Sequence, residues 1–77
     1  MNADRRKRLT ALAEKLDEIR SQLEDITTEE EEALENIPEN LQETERYETM
    51  DEIVADLQDT TGELEEMYDR IIEITEK

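Results

Sequence analysis

The stretch "ENIPENLQETERY", residues 35–47, contains the only proline of the chain and lies between two long amphipathic patterns. Its reading decides whether those patterns form one helix, two separate ones, or a helix folded back on another. Pro38 disfavours helical geometry at Ile37, so a preceding helix should end about there. Thr44 is a suitable cap for a second helix that begins at Glu45. The stretch therefore reads as a turn over about 37–44, between helices predicted over about 4–36 and 45–75.

Upstream, the large apolar residues are Leu9, Leu12, Leu16, Ile19, Leu23 and Ile26, in alternating steps of three and four. That is a heptad seam without a miss. In the same register Glu30, Ala33 and Ile37 follow, and Leu34 broadens the stripe. Asn2 or Asp4 can cap the first turn. Thr28 and Glu31 have the spacing of a capping box, but a break there would waste the in-register Ala33 and Ile37, so the helix is predicted to run through. Downstream, Met50, Ile53, Leu57, Leu64, Met67, Ile71 and Ile74 repeat the pattern, with Thr60 filling the gap. Gly62 is a soft point, about 1 kcal/mol worse than Ala in a helix interior. The register survives it, so one helix is predicted there too.

Folding the chain about Leu41 and Gln42 pairs positions whose numbers sum to 83: Leu9 with Ile74, Leu16 with Met67, Ile26 with Leu57. The expected fold is all-α, an antiparallel two-helix hairpin forming a single domain over residues 1–77. A seam between two helices covers each side chain on one side only. A second stripe, Leu34, Tyr47, Val54, Tyr68 and Ile72, is expected to stay wet in a monomer. It is the expected interface of a homodimer, in which two hairpins build a four-helix bundle.

Composition sets further bounds. Charged residues make up 44% of the chain and hydrophobic ones 34%, with a net charge of −16. This balance also describes disordered chains, and it is the strict periodicity that argues for helices instead. The chain has no Cys and no His. It therefore lacks disulfides, a thiol nucleophile and the usual imidazole base. Asp56 to Gly62 glances at a calcium loop, but a glycine at loop position six would put Leu57 where an acid is required. No catalytic residues, metal site or cofactor are expected. With no apolar run long enough to cross a bilayer and no signal-peptide pattern, the expected setting is the cytoplasm. Direct binding of duplex nucleic acid is disfavoured, because phosphate and carboxylate repel.

Two charged surfaces are candidates for a function. On the second helix Glu48, Glu52, Asp56, Asp59, Glu63 and Glu66 follow steps of three and four, forming one ridge. Neighbouring carboxylates at that spacing lie about 5–6 Å apart at the Cβ, not far from the phosphate spacing of a nucleic-acid strand. Asp25, Glu29 and Glu32 add acids on the first helix. The ridge reads either as a solvated face or as a protein-binding surface for a basic groove on a nucleic-acid-handling protein. The second surface is "RRKR", residues 5–8. It is expected to lie beside the C-terminal carbonyls of the second helix, with Glu73 and Glu76. The sharper alternative is an anion site for a nucleotide signal, built by Arg5, Arg6 and Arg8, or Arg46. At the turn, Arg46 and Tyr47 either meet a partner, or Leu41 and Tyr47 close the end of the bundle.

The basic opening of the "RRKRL" kind, the glutamate run, and "NIPENLQ" followed by "TER" resemble small acidic helical proteins encoded by phages and prophages of Gram-positive bacteria. The turn motif from Asn36 to Arg46 is the distinctive part. The resemblance implies a genomic setting rather than an activity. Many small phage proteins of this shape act by binding host proteins, including defence systems. The functional expectation is a noncatalytic acidic protein that binds and inhibits a host protein. The alternatives are a nucleotide sponge and a structural protein of a phage.

Overall fold

The computed structural model describes all residues from 1 to 77. Helix α1 spans Ala3–Glu35, and helix α2 spans Glu45–Thr75. Between them a single 3-10 turn covers Glu39–Leu41. The two long helices pack against each other as a hairpin, a rod about 60 × 15 × 12 Å. Neither helix is long and apolar enough to cross a membrane.

Local chemistry explains the element ends. Asn2 caps α1, its Oδ1 accepting from the Arg5 N–H at 2.8 Å. Of the two residues suited to cap it, Asn2 has the role, and Asp4 lies in the first turn instead, paired with Arg8 at 3.2 Å. α1 stops at Glu35, two residues before the one that Pro38 holds extended. Thr44 caps α2 by accepting from the Tyr47 N–H at 3.3 Å, and its hydroxyl donates to the Leu41 carbonyl at 2.7 Å. α1 runs unbroken through Thr27 and Thr28, and α2 unbroken through Gly62.

The face through which the helices meet differs from the expected one. The residues at its centre are Ala13 (0% exposed), Thr27 and Val54 (7%), and these alone are buried. Leu9, Leu16 and Leu23 flank this line half-buried, as do Met50, Leu57, Leu64 and Ile71 on α2. Leu12, Ile19 and Ile26, with Ile53, Met67 and Ile74, are exposed. The seam is thus rotated by one residue from the line of largest side chains. Ala13, Thr27 and Val54 stand at the buried points of the central line, and the bulky aliphatic residues are displaced to the side. The stripe expected to stay wet is inside the hairpin. Val54 is buried, and Leu34, Tyr47, Tyr68 and Ile72 are half-buried.

The register differs in part. One side-chain hydrogen bond crosses between the helices, from Gln58 Nε2 to Glu31 Oε1 at 2.8 Å. Thr27 and Thr61 line one polar cleft beside it. These position numbers sum to 89 and 88 rather than 83, whereas Ala33 and Met50, which line one cleft nearer the turn, sum to 83. A helix of 33 residues measures about 50 Å. The rod is about 60 Å long because the turn, residues 36–44, extends past the end of α1.

Threonines suit this polar-centred seam because they satisfy their own hydroxyls. Thr27 donates to the Leu23 carbonyl at 2.8 Å and Thr61 to that of Leu57 at 2.9 Å. Each bonds back four residues along its own helix and leaves its methyl group for packing.

Candidate functional site and its three surfaces

The phase of the seam determines what the rest of the surface presents. On α1 the exposed apolar row lies one residue before the central line, Leu12 before Ala13 and Ile26 before Thr27. On α2 the offset is the same, Ile53 before Val54 and Met67 before Tyr68. Because the helices are antiparallel, equal offsets place both rows on the same side of the hairpin. The result is one broad apolar face with Leu12 52% and Met67 51% exposed. The opposite side carries the Gln58–Glu31 bond and a cleft without a hydrophobic side chain.

The acidic ridge points away from both. Glu48, Glu52, Asp56, Asp59, Glu63 and Glu66 are all exposed, on the back of α2. None is paired with a cation, since every ion pair of the molecule lies within α1. Asp25, Glu29 and Glu32 are exposed on the back of α1. Each helix contributes its own outer edge, so the two sets of acids do not merge into one surface. Nowhere do three or more carboxylates gather closely enough to hold a metal ion.

The basic residues are dispersed. Arg5, Lys7 and Arg8 are exposed and Arg6 half-buried at the start of α1. None of them pairs with Glu73 or Glu76; Arg8 pairs with Asp4 in its own helix. Arg46 is exposed at the turn, the far end of the rod, so one protomer does not bring it near Arg5, Arg6 and Arg8. It borders a cleft of about 520 Å³ lined also by Ile37, Leu41, Tyr47 and Met50. Tyr47 is half-buried there and Leu41 exposed.

Sequence reasoning passed over Arg20, which stands on the central line of the hairpin. It donates to Asp17 Oδ1 at 2.8 and 3.0 Å and to Glu24 Oε1 at 2.6 Å. These hydrogen bonds, that to Asp17 foremost, hold its guanidinium above the ordinary arginine value. A cation with a raised value contributes fully below its unfolded value and loses that contribution only as pH rises through the folded one. The window is strongly alkaline, so Arg20 remains a cation at neutral pH. Its i−3 and i+4 partners were the available signal.

The chain matches no family model, no curated protein and no solved structure.

Proposed function

We propose that the chain is a noncatalytic acidic interaction protein, encoded by a phage, that binds and inhibits a host protein with a basic surface. In this reading it works as a dimer of hairpins in the cytoplasm of the host. The observation that carries it is the ridge from Glu48 to Glu66, fully exposed and without one cationic partner. Unpaired carboxylates along a helix repel one another, and a complementary basic groove relieves that repulsion on binding. The spacing of the ridge supports a partner whose groove normally takes a nucleic-acid backbone. The alternative, a sponge for an anionic nucleotide signal at Arg5, Arg6 and Arg8 or at Arg46, has no comparable observation behind it.

The test is retention of host proteins on the immobilised chain at low and high salt, beside a variant with Glu52, Asp56, Asp59 and Glu63 changed to Lys. The expected result is a protein released by salt and bound roughly tenfold or more weakly by the variant, with helicity by circular dichroism unchanged. Undiminished binding by the helical variant overturns the reading.

A further inference from the structure

The apolar face is the largest feature that neither the fold nor the acidic ridge uses. The protomer exposes 6137 Å². A compact chain of 9.1 kDa exposes about 4,900 Å². The excess, about 1,200 Å², compares with the roughly 800 Å² that each partner loses in a standard stable interface. A second rod of the same length laid on the apolar face removes area of that order and covers the exposed row along both helices. A lipid surface is a poor occupant, because net charge −16 is repelled by anionic headgroups.

Charge along the rod sets the direction of pairing. The open end, residues 1–20 with 68–77, holds eight basic and seven acidic residues, a net of +1. The remainder, residues 21–67, holds one basic and eighteen acidic residues, a net of −17. Hairpins laid side by side in the same direction bring the two acidic stretches together. Laid in opposite directions, each open end, with Arg5, Arg6 and Arg8, meets the acidic turn end of its partner, with Glu39 and Glu43. We infer that the apolar face docks a second copy of the chain head to tail, the basic open end of each hairpin against the acidic turn of the other. The two-fold axis then crosses the rod near its middle, and the contact is self-complementary and closed. This takes up the dimer of the proposed function and gives it a face and a direction. It does not rest on the ridge having a partner, since the ridge remains outside.

The experiment uses the whole chain with one nitroxide label on an Asn40→Cys variant, the only thiol, at the exposed tip of the turn. Light scattering at micromolar concentration should give the mass of two chains, and the label pair a distance comparable with the 60 Å rod. A mass other than two chains overturns the inference, including the monomer expected if the face instead serves a foreign helix. A label distance within two or three helix spacings, roughly 20–30 Å, overturns the direction. Ile19→Glu should weaken association roughly tenfold or more, and the label distance decides even if that variant unfolds. Undiminished partner binding by the lysine variant at an unchanged dimer mass would overturn the proposed function and leave this interface standing, so the two readings fail separately.

Discussion

Ala13 carries the clearest consequence at the scale of the residue. It is wholly buried on the line of closest approach between the helices, while its neighbour Leu12 is half exposed. Ala13→Leu must therefore push the axes apart and is expected to cost about 1–3 kcal/mol, as overpacking does elsewhere, read from urea denaturation. Were the seam centred on the leucines, the substitution would enlarge the core and raise stability. The sequence hides this because a hydrophobic seam is ranked by size, and alanine, threonine and valine score below leucine at neighbouring positions. Tyr47, Val54 and Tyr68 were left outside the expected core because Thr61 interrupts their stripe and a fuller aliphatic line runs beside it, although they continue the central line of α2 at seven-residue steps.

At the scale of the element, the helices, their caps and the turn were legible because local chemistry sets them. Thr44 bonds within one turn of itself, and Pro38 acts on the residue before it. Phase was not legible, and register only in part, since both depend on how side chains of one helix fit another. The acidic ridge was legible as a periodicity, and so was its scarcity of basic partners, since residues 21–67 hold only Arg46; every ion pair lies within α1. Gly62 is the element's own weak point. A Cβ added there meets nothing within 4 Å, and the backbone is already helical. Gly62→Ala should raise stability by about 0.5–1 kcal/mol, seen as a higher thermal midpoint. An unchanged or lower midpoint would mean that α2 needs the flexibility at its centre.

At the scale of the whole molecule, one thin rod carries a net charge of −16 with only three internal ion pairs, so self-repulsion opposes folding. Added sodium chloride should raise the thermal midpoint by several degrees, since 1 kcal/mol moves a domain of this size by roughly 4–8 °C. A midpoint that falls with salt would show that attraction between opposite charges outweighs the repulsion. Screening acts in opposition on the two assemblies. It weakens capture of a basic partner, while it leaves apolar contacts between hairpins intact. The placement of the tyrosines adds an optical consequence. Tyr47 and Tyr68 are the only aromatic residues of the chain, and both lie in the seam between α1 and α2. Near-ultraviolet dichroism and tyrosine emission thus report closure of the hairpin, and the apolar face, having no chromophore, is silent. On dilution, a hairpin that outlives its dimer keeps its tyrosine spectrum while its mass halves; one that needs its partner loses both together.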